Sequence, residues 1–242
     1  MKIAGIQKLS MVDYPGKMAC TIFFAGCNFR CPYCHNKSLV IPEADQPYMN
    51  EEEVLKFLKR RQGLLDGVCI TGGEPLLQGD KILPFIKKIK ELGYSVKLDT
   101  NGTNPQLLKE LCESGMIDYV AMDIKNSREK YGKAIGREMI TNQEKGQNLL
   151  KKVEESACFL MQGTVEYEFR TTLVRGIHEP EDIQHIVDWM KDAHIWYLQN
   201  FKDSGAVLNP NVCKMEPFSE NELKMFANTA KESKLNTVVR NI

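Results

Sequence analysis

Ala19-Cys20-Thr21-Ile22-Phe23-Phe24 opens a stretch that continues through Ala25 and Gly26 into Cys27-Asn28-Phe29-Arg30-Cys31-Pro32-Tyr33-Cys34. The first part is a near-continuous apolar run of strand length, the pattern of a strand covered on both faces in a parallel sheet. Five comparable runs follow: Gly67 to Thr71, Ser95 to Asp99, Tyr119 to Asp123, Tyr167 to Val174 and Ile195 to Phe201. Segments of helical period lie between them. Ile82, Phe85, Ile86 and Ile89 recur at i, i+3, i+4 and i+7, as do Ile183, Ile186, Val187 and Met190, so each helix has one apolar stripe to lay on a sheet. This alternation predicts an α/β fold of six parallel strands with outer helices, an incomplete (β/α)6 TIM-like barrel.

Helix starts are readable too. Asn50 with Glu53, Thr141 with Glu144, and Ser219 with Glu222 each pair a cap residue with a glutamate three positions on. Asn104-Pro105 marks another start and Gly115 a stop. In a barrel of this kind the loops at the carboxyl ends of the strands gather the functional groups, so residues just after each run are the first candidates. The irregular, proline-containing loops from Asn36 to Met49 and from Asp203 to Pro217 are candidates to cover such a site or to meet a partner.

At 242 residues the chain is read as a single domain, 1–242, with one substantial core. Lysine plus arginine equals aspartate plus glutamate at 32 each, so no global field draws nucleic acid or an anionic membrane, and neither partner is expected. Met1 to Tyr14 mixes Lys2, Gln7, Lys8 and Asp13 among its apolar residues and lacks a signal-peptide core. No stretch is long enough to cross a bilayer. The expected location is the cytoplasm, where thiols stay reduced, and the eight cysteines read as ligands or buried fillers, not disulfides.

Three of those cysteines fall within the loop 27–34. Thiolates are soft ligands for iron-sulfur clusters or zinc. A structural zinc site wants four ligands and a cubane cluster has four irons, so three cysteines leave one place unfilled. In the iron-sulfur reading that open iron is the reactive position, free to be chelated by a substrate carrying an amine and a carboxylate. In the zinc reading His35 or a remote cysteine completes the shell, and spacing alone leaves both open. Cys20, Cys69, Cys112, Cys158 and Cys213 form no second cluster and read mostly as small buried residues.

Cys27-x3-Cys31-x2-Cys34, with aromatic Tyr33 before the last cysteine, resembles the defining motif of radical S-adenosylmethionine (radical SAM) enzymes, and the order of elements is similar from Asp13 to about Phe201. The resemblance implies a [4Fe-4S] cluster on Cys27, Cys31 and Cys34 that reductively cleaves S-adenosylmethionine to methionine and a 5'-deoxyadenosyl radical. It also implies that Tyr33 frames the adenine; otherwise Tyr33 is a packed loop aromatic.

Thr71-Gly72-Gly73-Glu74-Pro75 closes the second run. Alone it would read as a turn; beside the cysteine motif it resembles the family's second motif, in which Gly72, Gly73 and Glu74 receive the amino group of the cofactor. Asp99-Thr100-Asn101-Gly102 closes the third run and Asp123-Ile124-Lys125 the fourth, both resembling segments of glycyl-radical activating enzymes. Asp99, Thr100 and Asp123 are thereby candidates to meet the ribose or a monovalent cation, and Lys125 to pair with the cofactor carboxylate. The alternative is that the aspartates satisfy loop amides. Arg170, in the fifth run, either meets a carboxylate inside the barrel or stands at a solvent-facing edge. His178, His185 and His194 are scattered and read as surface or structural residues.

Asp13-Tyr14-Pro15-Gly16-Lys17, followed by Phe24 and Cys27 to Asn36, is most similar to activating proteins of anaerobic ribonucleoside-triphosphate reductase and next to pyruvate formate-lyase activating enzymes. The latter tend to carry Asp-Gly-Pro-Gly with a nearby arginine, where this chain has Tyr14 and Lys17. The implied function is an oxidoreductase that abstracts hydrogen from a glycine α-carbon of an anaerobic ribonucleotide reductase, with reduced flavodoxin or ferredoxin as electron donor. No side chain is required as a general acid or base. Two other classes share parts of the pattern: a radical SAM enzyme acting on a small molecule such as a deazapurine precursor, and a nonenzymatic metal-binding module. The module would have no reason to carry Gly72-Gly73-Glu74 and Asp99 at strand ends.

Overall fold

The computed structural model describes residues 1–136, 144–202 and 207–240. Its strands form one sheet in chain order: β1 (Ile3–Ser10), β2 (Ala19–Phe24), β3 (Gly67–Gly72), β4 (Ser95–Thr100), β5 (Tyr119–Asp123), β6 (Glu166–Leu173), β7 (Trp196–Asn200) and β8 (Thr237–Arg240). β1 pairs antiparallel with β2, and the pairings from β2 to β8 are parallel. The helices are α1 (Lys37–Val40), α2 (Glu51–Arg60), α3 (Ile82–Glu91), α4 (Pro105–Glu113), α5 (Tyr131–Ala134), α6 (Glu144–Met161), α7 (Pro180–Met190) and α8 (Glu220–Glu232), which supply the crossovers.

The six expected runs are β2 to β7. Two edge strands flank them that periodicity did not reveal. β1 carries Gly5, Gln7 and Lys8 and is exposed from Gln7 to Leu9, while β8 is only four residues long. One side of an edge strand meets solvent, and sheets blunt such edges with polar residues, as in β1, or by keeping them short, as in β8; both erase the apolar run.

Capping follows the sequence. Asn50 accepts from the Glu52 amide and forms a reciprocal box with Glu53, Ser219 does the same with Glu222, and Asn104 accepts from the Leu107 amide ahead of Pro105. Gly115 turns the chain just past α4 with φ +70°. The expected start at Thr141 lies outside the described residues.

Ile82, Phe85, Ile86 and Ile89 of α3 are fully buried, as are Ile183, Ile186, Val187 and Met190 of α7. They cover the outer face of the sheet, where Ile22, Ile70, Val96, Leu98 and Val120 stand in the same apolar cluster. Each such side chain contributes about 1.5–3 kcal/mol on leaving water. Period two then sends the alternate residues inward. Register aligns Thr21 with Cys69, Cys69 with Lys97, Asp99 with Ala121, Ala121 with Glu168, and Asp123 with Arg170. The barrel interior is therefore polar, and its contents decide what the strand ends can do.

The segment 13–17 lies before β2, at the amino ends of the parallel strands. Tyr14 is buried there, 6.0 Å from the ring of Tyr119, and its ring edge sits where a Cβ on Gly67 would fall. Asp13 accepts from the Thr21 hydroxyl at 2.6 Å. This end is opposite the cysteine loop.

Candidate functional site

The cysteine loop leaves the carboxyl end of β2 with its backbone tied and its thiols free. Gly26 N–H donates to Leu39 O at 2.7 Å and Arg30 N–H to Ile135 O at 2.9 Å. The Arg30 guanidinium folds back to donate to the carbonyls of Cys27 and Phe29. On the other side, Leu208 N–H donates to Cys34 O and Asn209 N–H to Pro32 O. Both irregular loops singled out in the sequence thus brace the cysteine loop. Cys31 is buried, Cys27 and Cys34 are half-buried, and none is in a disulfide. Burial pushes the Cys31 thiol up to about 12 and the Cys27 thiol to about 11, so the bare protein keeps both protonated.

Gly72 and Gly73 bring the end of β3 against this loop. Gly72 has φ +129°, and a Cβ there would meet Phe24 O at 2.3 Å; a Cβ on Gly73 would meet Gly26 O at 2.1 Å. Only glycine allows that approach. Next to them Glu74, 1 % exposed, accepts from Leu76 N–H at 3.1 Å, the Thr100 hydroxyl at 2.8 Å and Asn101 N–H at 2.7 Å. It clasps the ends of β3 and β4. Burial raises its carboxyl to about 7 despite these three donors.

A small ring of side chains extends the clasp to the cysteine loop. Asn101 Nδ2 donates to Asn28 Oδ1, Asn28 Nδ2 to Thr103 Oγ1, and Thr103 Oγ1 to Asn101 Oδ1, at 2.7 to 2.8 Å. The turn after β4 thereby holds the cysteine loop by a route independent of its backbone.

Inside the barrel, five charged groups form a chain. Lys97 Nζ donates to Asp99 Oδ1. Asp99 Oδ2 accepts from Thr71 Oγ1 at 3.1 Å and Arg170 Nη1 at 3.2 Å. Arg170 Nε reaches Asp123 Oδ1 at 3.0 Å, and Lys125 Nζ meets Asp123 Oδ2 at 2.8 Å. Burial alone would raise both carboxyls. For Asp99, Arg170 and then Lys97 outweigh it and hold the group below its ordinary value; for Asp123, Arg170 and Lys125 hold it at about 2. Arg170 is thus an interior residue between two carboxylates, not a solvent-facing one.

All twelve residues named from sequence, the three cysteines with Tyr33, Gly72, Gly73, Glu74, Asp99, Thr100, Asp123, Lys125 and Arg170, line one cleft of about 300 Å³. Tyr33 is 5 % exposed, lies edge-on to His178, and its hydroxyl has no partner among the described residues. His178 is buried, bonded to Val174 N–H and Lys125 O, and burial lowers its pKa. His185 is exposed beside Glu129. Cys20, Cys69 and Cys112 are buried and Cys158 is exposed; the Cys213 side chain lies outside the described residues. Sequence reasoning missed Lys97 and Asn28. Lys97 had a signal: it stands two residues before Asp99 on a strand, hence on the same face.

The radical SAM superfamily profile matches residues 21–157, which contain the cysteine loop and the ends of β2 to β5. The chain belongs to the radical SAM superfamily. A Methanocaldococcus jannaschii protein provisionally named a glycyl-radical enzyme activating enzyme is 35 % identical over 243 aligned positions, 99 % of this chain and 96 % of the relative, which puts both in one activating-enzyme family. Pyruvate formate-lyase 1-activating enzyme of Escherichia coli is 28 % identical over 194 positions, 76 % of this chain and 72 % of that protein. Among solved structures, Streptococcus suis SuiB bound to S-adenosylmethionine superposes with a TM-score of 0.61 at 17 % identity, over 91 % of this chain and 52 % of that one, a likeness of fold.

The cofactors of this superfamily are a [4Fe-4S] cluster and S-adenosylmethionine, and the residues present fit them. Three soft thiols stand on one braced loop beside a polar cleft with a buried, unpartnered tyrosine hydroxyl. Among the described residues no three His, Cys, Asp or Glu side chains converge as the shell of a single ion. His35, the residue a zinc site would recruit, stacks on Phe201 at 5.2 Å and contacts Lys202 O through Nε2. A cubane asks for a different spacing, because each thiolate binds its own iron.

Proposed function

We propose that this chain, as one radical SAM domain, activates an anaerobic ribonucleotide reductase by forming its glycyl radical. The convergence of all twelve candidate residues on the cleft at the carboxyl strand ends carries the reading. When bound, the cluster and S-adenosylmethionine would supply one-electron chemistry, a 5'-deoxyadenosyl radical released with methionine, for hydrogen abstraction from the glycine α-carbon, with reduced flavodoxin or ferredoxin as the electron donor.

The side chains bind and orient. Cys27, Cys31 and Cys34 would hold the cluster, and Tyr33 would frame the adenine. Gly72, Gly73 and the remaining acceptor capacity of Glu74 Oε2 would receive the cofactor amine. Lys125 and Arg170 draw its carboxylate, since the interior chain has three cations for two carboxylates. A carboxylate has about four acceptor sites. Asp99 has three in use and Asp123 two, so Asp123 has more capacity for ribose hydroxyls.

The choice of partner rests on the likeness of Asp13 to Lys17 and Cys27 to Asn36 to reductase activators. The second reading, activation of pyruvate formate-lyase, is favoured by the Escherichia coli relative. Electron paramagnetic resonance separates them: reduced, reconstituted protein with S-adenosylmethionine should give a glycyl doublet on the reductase. A doublet only on pyruvate formate-lyase transfers the assignment. Cleavage of S-adenosylmethionine with no radical on either enzyme overturns both.

A further inference from the structure

Asp99 and Asp123 are the carboxylates that a monovalent cation in this cleft would seek, and the family resemblance suggests such an ion beside them. The residues present do not fit it. Asp99 already holds an ammonium on one oxygen and a guanidinium on the other, and Asp123 is likewise shared by Arg170 and Lys125. A soluble cation between Asp99 and Asp123 would have to share two carboxylates already paired with Lys97, Arg170 and Lys125, and the low-dielectric interior strengthens its repulsion by those three cations.

Lys97 supplies the charge in its place. It is 2 % exposed and starts two residues before Asp99 on the same face of β4, so the strand itself delivers its ammonium to that carboxylate. Cys69 Sγ at 3.9 Å is the one other hydrogen-bond partner of its Nζ among the described residues. The ammonium therefore has a single strong partner, and its burial is tied to Asp99.

We infer that Lys97 is the built-in monovalent cation of this cleft, so that the chain organises Asp99 and binds S-adenosylmethionine without potassium or sodium. The cofactor arm rests on the proposed function; the cation arm does not. Removing the ammonium while keeping the side-chain volume, as in Lys97→Met, leaves Asp99 an uncompensated acceptor site that a soluble cation can fill.

The test compares the purified wild-type chain with Lys97→Met and Lys97→Arg in tetramethylammonium chloride and in potassium chloride at equal ionic strength, about 100 mM. Thermal melting is read on each, and 5'-deoxyadenosine formation on the reconstituted forms. Wild type and Lys97→Arg should show no saturable potassium stabilisation, whereas Lys97→Met should show one. Cofactor cleavage should vary less than about two-fold with potassium in wild type, and in Lys97→Met should fall about ten-fold without it and recover with it. Saturable stabilisation or activation of the wild type by potassium overturns the inference, even if Lys97→Met fails to fold. So does a folded Lys97→Met indifferent to potassium. Failure of cleavage in every form counts against the proposed function and leaves the melting comparison decisive.

Discussion

The cysteine loop and the ionic chain inside the barrel lie in one cleft but are completed in opposite ways. In the loop, the backbone is tied to neighbouring segments at Gly26, Arg30, Pro32 and Cys34 and the reactive atoms are left over: thiols in no disulfide and a tyrosine hydroxyl without a partner among the described residues. In the interior chain every charged group meets an opposite charge. The first arrangement is organised for something that arrives, and the second is part of what holds the barrel. Substitutions in the loop should therefore cost function more than stability, and substitutions in the chain should cost both.

The largest effect is expected at the loop. Replacing Cys27, Cys31 or Cys34 by alanine should abolish stable iron uptake and the thiolate-to-iron absorption band, while Cys112→Ala, buried on α4 away from the cleft, should retain both. Melting of the cluster-free forms should barely change for Cys27→Ala and Cys34→Ala, because these half-buried side chains contribute little packing. A cysteine variant that still binds about four irons with wild-type absorption would break the comparison at its first term.

Much of this contrast could be read from sequence, and the parts that could not share a cause. The six central strands and the helix caps at Asn50, Asn104 and Ser219 were visible because burial on two faces leaves long apolar runs and because caps use local hydrogen bonds. β1 and β8 were not, since edge positions dilute the signal. Asn28 was invisible as a brace because its partners are 73 and 75 residues away. Asp13 to Lys17, which narrowed the partner assignment, stands at the far end of the barrel, where Tyr14 packs over Gly67 and beside Tyr119. Its local chemistry there is floor packing, so it gives no physical account of which glycine is reached.

The next effect lies in the chain. Arg170 bridges Asp99 and Asp123 and is 16 % exposed. Removing one partner from a buried ion pair costs about 3–5 kcal/mol, because the other charge remains buried. Arg170→Met should destabilise the cluster-free protein by that amount in urea denaturation, and the loss should shrink at pH below the ordinary aspartate range as the carboxylates protonate. A loss under about 1 kcal/mol would mean that Lys97 and Lys125 suffice, and the chain would be a set of independent pairs.

Glu74 gives the smallest and most diagnostic effect, because it is a carboxylate built like Asp99 but without a cation. Its three partners are two backbone amides and a hydroxyl, and its pKa moves up from 4.5 to about 7, burial being the largest cause, while the aspartates paired with Arg170 are held down. The sign follows from linkage. Below pH 4.5 Glu74 is protonated in both states and has no effect. As pH rises from 4.5 to about 7 the unfolded chain loses this proton first, so the folded state is progressively disfavoured, by about 3 kcal/mol in total, and above 7 the difference is constant. Glu74→Gln cannot titrate; its amide misorients one donor toward Asn101 N–H, a penalty that does not vary with pH. Subtracting its urea-denaturation stability from that of the wild type at each pH should therefore isolate a decline between pH 4.5 and 7. A flat difference would mean that the clasp stabilises the carboxylate as well as water does, and the contrast between cation-paired and cation-free carboxylates in this cleft would fail.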